Sequence, residues 1–141
     1  MDTPTAAEPR AIAAAMARAL DADDLDAARA LLADDCVYEL RDDTLRGPEA
    51  VLASYRDASA MARRLFDEVR YESDIESVSG ATARVTFTDY LLKAGHPWHR
   101  YRCMQAFTVG TGGRIVRIVH EEIPSEREAL ERYFRECGIE R

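Results

Sequence analysis

The sequence predicts an α+β fold, a curved antiparallel sheet packed against three N-terminal helices with an added helix at the C-terminus. Two observations carry this. Apolar residues recur at three- and four-residue spacing as far as Phe66, and from there at two-residue spacing to Ile123. The four strand-like runs after Phe66 are joined by short stretches of turn residues, and short joints mean antiparallel neighbours, because a parallel pair needs a longer crossover. A length of 141 residues fits one domain. Folding at that size buries roughly 68–70% of the unfolded surface, enough to need no metal or disulfide staple. We assign residues 8–123 to the core fold and 124–141 to a C-terminal helical extension.

The first helix is expected from Glu8 to Leu20. Pro9 suits a first turn, where a missing N–H costs nothing, and Ile12, Met16 and Leu20 mark one apolar face. Asp21–Asp24 is an acidic turn in which Asp23 or Asp24 caps a short second helix, Leu25 to Leu32. Cys36–Leu40 is a short strand and Arg41–Arg46 a polar loop. Gly47-Pro48 opens a third helix that reaches Phe66, with Val51, Leu52, Tyr55, Ala58, Ala62 and Leu65 at helical spacing. The strand runs follow as Val69–Val78, Ala81–Lys93, Trp98–Val109 and Arg114–Ile123. They are separated by Ser79-Gly80, Ala94-Gly95 with Pro97, and Gly110–Gly113. Pro124 ends the last strand, Ser125 and Glu128 form a capping box for the final helix, and Gly138 stops it.

Composition excludes several partners. Acids outnumber bases 26 to 19, for a net charge of −7, which argues against nucleic acid and anionic lipid. Cys36, Cys103 and Cys137 are odd in number and far apart, so neither a disulfide framework nor a zinc site is indicated. Asp21–Asp24 lacks the central Gly and closing Glu of a calcium loop. Gly110–Gly113 lacks a phosphate-loop Lys and opens no helix, so no nucleotide cofactor is implied. Met1-Asp2-Thr3-Pro4 has no basic signal region, and no apolar run approaches a membrane span; a cytoplasmic protein is expected.

Helices segregated to one face of a curled sheet leave room between the layers, and a ligand site there is the default expectation. Strand alternation sorts the side chains. Inward sets are Cys36, Tyr38 and Leu40; Val85, Phe87, Asp89 and Leu91; His99, Tyr101, Cys103, Gln105 and Phe107; and Val116, Ile118 and His120. The candidate substrate-binding residues are therefore Tyr38, His99, Tyr101 and Gln105, together with Tyr55 of the third helix. The candidate catalytic pair is His120 as general base, because imidazole titrates near neutrality, oriented or charge-balanced by Asp89 if the two meet across neighbouring strands. No metal is assigned. Trp98, Met104 and Ala106, beside Arg100 and Arg102, take the outer face, where a homodimer is expected to form.

The runs Ala19–Asp26 and Leu31–Tyr38, with Arg46–Val51 and Gly113–Ile118, resemble the nuclear-transport-factor-2-like superfamily over about Glu8 to Ile123. The resemblance implies an ααβαββββ cone with a central pocket. That superfamily includes ketosteroid isomerases, limonene epoxide hydrolases, SnoaL-like cyclases and noncatalytic dimers, so fold does not choose among them. The ketosteroid isomerase positions fall on Met16, Leu40 and Gln105, which cannot repeat those roles. The His and Asp of SnoaL-like cyclases fall on Ile118 and His120, and the Asp-Arg-Asp set of the epoxide hydrolases has no full match. The expected function is binding of a small apolar ligand by a SnoaL-like protein. With it goes cofactor-independent acid/base chemistry of isomerase, cyclase, dehydratase or hydrolase type on a cyclic or carbonyl compound. The alternative is a noncatalytic ligand-binding or dimerisation module.

Overall fold

The computed structural model describes residues 7–140; the Met1–Pro4 segment lies outside them. Four helices and six strands follow one another as α1 (Ala7–Asp21), α2 (Leu25–Ala30), β1 (Leu32–Glu39), β2 (Thr44–Arg46), α3 (Pro48–Leu65), β3 (Glu68–Ser79), β4 (Thr82–Leu92), β5 (His99–Val109), β6 (Ile115–Glu122) and α4 (Pro124–Cys137). The strands form one curved, unclosed sheet in the order β2-β1-β6-β5-β4-β3, an α+β cone. The meander β3–β6 is antiparallel throughout. Its last strand then takes β1 as a parallel neighbour, which the α3 crossover and the meander make possible.

Local sequence explains most boundaries. Asp24 caps α2 by accepting from the Ala27 N–H at 3.1 Å. Pro48 sits in the first turn of α3 and Pro124 in that of α4. Gly138 adopts the left-handed conformation, φ 67°, that closes α4.

Four departures from expectation each have a physical reason. Helix α2 stops at Ala30 and Leu32 begins β1, because Leu31 O accepts from Ile115 N at 2.8 Å and sheet pairing captures the segment. The loop at Arg41–Arg46 contains β2, a short edge strand that pairs Leu45 with Tyr38. No capping box forms at Ser125, since Ile123 occupies the cap position, and Glu126 instead accepts from the Arg102 backbone N–H at 3.0 Å and from Arg102 Nε at 3.2 Å. Val116 does not face inward. A bulge between β5 and β6 gives that place to the fully buried Ile115. Gly110 makes room for Val116, whose Cγ1 would lie 2.7 Å from any Cβ there.

The main core joins α1, α2 and α3 to the concave side of the sheet through Met16, Leu32, Val51, Val85, Phe107, Ile115 and Ile118, all buried. A second, smaller core docks α4 on the sheet through Phe66, Leu91, Tyr133 and Phe134. In it the His99 and Tyr133 rings stack at 4.7 Å. The Tyr133 hydroxyl donates to Pro97 O at 2.7 Å and accepts from Lys93 N at 3.2 Å. No helix among the described residues is long and apolar enough to cross a membrane.

That hydroxyl ties α4 to the β4–β5 turn, so Tyr133→Phe should cost about 1–2 kcal/mol by leaving a carbonyl and an N–H less well satisfied. Hydrogen exchange should accelerate in α4 and leave the β4–β5 ladder unchanged. Unaltered exchange in α4 would show that the second core alone holds the helix.

Candidate functional site

Between the curved sheet and the helices lies a cavity of about 350 Å³, within the range of small-molecule sites. Its walls are largely apolar, with Leu20 from α1, Leu25 from α2, Ala58 and Ala62 from α3, Phe87 from β4 and Leu40. The polar side chains that enter it fall into two groups at opposite ends.

The first group is one hydrogen-bonded network centred on the buried amide of Gln105. Tyr55 Oη donates to Gln105 Oε1 at 2.7 Å. Gln105 Nε2 donates to Tyr38 Oη at 2.8 Å and also lies 3.2 Å from His120 Nδ1. An amide nitrogen has no free lone pair, so it is the donor in both contacts and His120 Nδ1 accepts. The imidazole proton therefore sits on Nε2. Burial also lowers the His120 pKa, an effect opposed by Glu122 nearby, so the ring is neutral at pH 7. Burial pushes the phenols of Tyr38 and Tyr55 up, and both stay protonated. The Tyr38 hydroxyl, having accepted from Gln105, keeps its own hydrogen for Tyr55 or for an acceptor in the cavity. The two rings stack at 5.3 Å, which fixes their heads side by side.

The second group lies near the other end of β5. Asp89 is in register with Tyr101, whereas His120 is in register with Gln105. Four residues of strand separate those two levels, about 13 Å along β5. Asp89 shares its end with Asp21 and Tyr71. Its carboxyl is pushed up to about 7, first by burial and then by the charge of Asp21. Asp21 itself accepts from Ser73 Oγ at 2.6 Å, and Tyr71 Oη meets Ser59 Oγ at 3.0 Å. Between the ends, Cys103 presents a thiol held neutral by burial at about 12.

The structure thus brings Tyr38, Tyr55, Tyr101, Gln105, Asp89 and His120 to one cavity. It does not bring the expected catalytic pair together. Asp89 faces Asp21, and His120 bonds Gln105 with the lone pair a base would need. His99 lies outside the cavity, because α4 covers its end of β5 and its ring stacks on Tyr133. Its buried Nε2 has no hydrogen-bond partner among the described residues, and burial lowers its pKa. His120 additionally borders an outer, polar cavity of about 510 Å³ between α4 and Arg41, where Arg127 meets Glu122 at 2.7 Å. Among the described residues no cluster of three or more His, Cys, Asp or Glu has the arrangement of a metal site.

Asp21 and Tyr71, with Asp23, Ser54 and Ser59, are polar cavity groups that sequence reasoning missed. The signal for Asp21 was the four-residue stripe Pro9, Ala13, Ala17, Asp21 on the buried face of α1. For Tyr71 it was the alternation Val69, Tyr71, Ser73, Ile75 in β3.

Residues 13–118 match the family model of the SnoaL-like domain. No curated protein matches the chain. Among solved structures, the chain is similar to a protein described as a polyketide cyclase from Xanthomonas campestris pv. campestris, at 19% identity and a TM-score of 0.66, covering 86% of this chain and 95% of that one. It is similar to an NTF2-like protein of unknown function from Burkholderia pseudomallei at 19% identity and a TM-score of 0.67, covering 87% and 96%. It is also similar to an LEH-like epoxide hydrolase of M. tuberculosis at 26% identity and a TM-score of 0.58, covering 89% and 91%.

The Asp89 environment sets a stability signature. A carboxyl raised to about 7 in the fold, against about 3.9 unfolded, contributes its full stability below pH 4 and loses it as pH rises to 7. Asp89→Asn removes that loss. At pH 8 the variant should be more stable than the parent by roughly 2–4 kcal/mol, and the gap should close near pH 4, as read by urea unfolding at both values. A gap that does not depend on pH would place Asp89 in water.

Proposed function

The chain belongs to the SnoaL-like domain family, and we propose that it binds a small, largely apolar molecule in this cavity and performs cofactor-independent proton transfer on it. Asp89 is the acid/base group. A hydrogen-bond-accepting oxygen of the ligand, carbonyl or hydroxyl, docks at the Tyr38 end. The reacting centre lies toward Asp89. The observation that carries this reading is a carboxyl facing an apolar cavity without a countercharge, tuned close to neutral pH where an acid/base catalyst works best. As base, Asp89 takes a proton from a carbon acid or from an attacking water; as acid, it returns that proton. Gln105 holds Tyr38 and His120 in place with hydrogen bonds that preorganise the docking end. The epoxide hydrolase among the similar structures acts on a neutral oxygenated molecule, in keeping with a cavity whose lining, among the described residues, carries no Lys or Arg.

A second reading, ligand binding without turnover, draws on the distance between the Gln105 network and Asp89, since the expected His–Asp pair is not assembled. The outer sheet face, where Trp98 is 43% exposed, is the surface we propose for a homodimer.

Both readings meet one experiment. A panel of cyclic ketones, enols and epoxides is screened by thermal shift, and the compounds that bind are followed for turnover. Asp89→Asn should lower turnover at least about 100-fold and leave Kd within a few-fold, while Tyr38→Phe should weaken binding about tenfold. Full turnover in Asp89→Asn removes Asp89 as the acid/base group, and binding with no turnover by the parent chain establishes the noncatalytic reading. Sedimentation equilibrium should give twice the chain mass, and Trp98→Glu should halve it.

A further inference from the structure

We infer that Asp21, held by the Ser73 hydroxyl at the C-terminal end of α1, is the positioning residue that keeps the working proton on Asp89. This inference rests on the reading of Asp89 as the acid/base group.

The placement comes from three elements. Asp21 ends α1, on the stripe that buries Ala13 and Ala17 against the sheet, so its carboxyl enters the cavity from the helical side. Ser73 lies on β3 opposite Phe87, and Asp89 is the next inward residue of β4 after Phe87. Ser73 and Asp89 are thus diagonal neighbours on one sheet face, about 7–8 Å apart, and the carboxyl bonded to Ser73 sits beside that of Asp89.

Two carboxyls at one end of a low-dielectric cavity cannot both ionise freely, and the asymmetry of their partners decides which keeps the proton. Asp21 receives a hydrogen bond from Ser73 at 2.6 Å, which favours its charged form. Asp89 has no hydrogen-bonding side chain among the described residues. The remaining groups around Asp89 do not reverse this order. Tyr71 from β3 and Tyr101 and Cys103 from β5 all stay neutral, each pushed up by burial. Arg63 from α3 meets Asp23 at 2.7 Å and lies over the Tyr71 ring, so its charge is already engaged. Burial, and after it Glu72, raises the affinity of Asp21 for a proton, and the Ser73 bond opposes both. The consequence is a division of labour: Asp21 carries the standing negative charge, and Asp89 gives and takes the proton.

The test is a carboxyl titration, which needs no substrate. Full-length chain labelled with ¹³C at the aspartate carboxyls is followed by NMR from pH 3 to 9 in the parent, Asp21→Asn and Ser73→Ala. In Asp21→Asn the Asp89 midpoint should fall by about one pH unit, because the neighbouring charge is gone. In Ser73→Ala the Asp21 midpoint should rise by about half a unit or more, as its charged form loses a donor. An Asp89 midpoint that stays within 0.2 units in Asp21→Asn overturns the inference. So does an unmoved Asp21 midpoint in Ser73→Ala, which also decides the matter if Asp21→Asn does not fold. A shifted Asp89 midpoint combined with undiminished turnover in Asp89→Asn would sink the assignment of the acid/base group and leave the coupling of the two carboxyls standing.

Discussion

One buried amide organises this molecule. Gln105 is 5% exposed, and its hydrogen-bonding groups meet Tyr55 from α3, Tyr38 from β1 and His120 from β6. A polar group taken out of water costs a few kcal/mol unless it is bonded, so those three side chains must keep their places whenever the chain is folded. The constraint acts on the layers as well as on the residues. Helix α3 is joined to the sheet by a hydrogen bond at a point where close packing gives way to open space. The cavity wall at that end is consequently cross-linked by hydrogen bonds from three elements. Donors held in place are what a site needs to orient a ligand oxygen without loss of entropy at the moment of binding.

The other end of the cavity obeys the opposite rule. Among the described residues Asp89 has no side-chain donor, and its charge is disfavoured by burial and by Asp21. That arrangement lowers stability above neutral pH, and the fold tolerates it where a wholly apolar residue would pack at no such cost. Local destabilisation kept inside an otherwise consistent core is the usual mark of a functional group. The contrast between the ends also separates their roles. The His120 Nδ1 lone pair is already committed and holds its neighbours in position; the Asp89 carboxyl is uncommitted, as the proposed acid/base role requires.

Much of this was legible in the sequence because it depends on period alone. The switch from helical to alternating spacing near Phe66 located the meander, and alternation put Tyr101, Gln105 and Asp89 on the inner face. Illegible features required knowledge of a neighbour. Leu31 and Leu32 have helical spacing, yet Ile115 draws them into a sheet 83 residues away in sequence. Thr44–Arg46 is polar because it is an edge, where only one side is paired. His99 obeys the alternation, and a helix that begins 25 residues later removes it from the cavity by stacking Tyr133 on its ring. Asp89 and His120 both face inward as expected, but inward on a curled sheet is a surface with ends, and period does not reveal how far along it two residues lie.

Helix α4 shows where the site stops. The family match ends at residue 118, two positions before His120, and α4 follows entirely beyond it. None of the side chains lining the inner cavity comes from α4; its second core sits around Phe66 and Leu91, next to the Asp89 end of the cavity. What α4 does line is the outer cavity, with Pro124 and Arg127 facing Arg41 and Glu122, and His120 is the residue common to both chambers. Its Nδ1 is bound inward by Gln105, and the ring belongs to the wall that divides an apolar chamber from an ion-paired one. Apart from His120, the inner cavity is thus lined by the part of the chain that matches the family. The addition shapes the polar space beyond it, and the two meet at a single neutral imidazole.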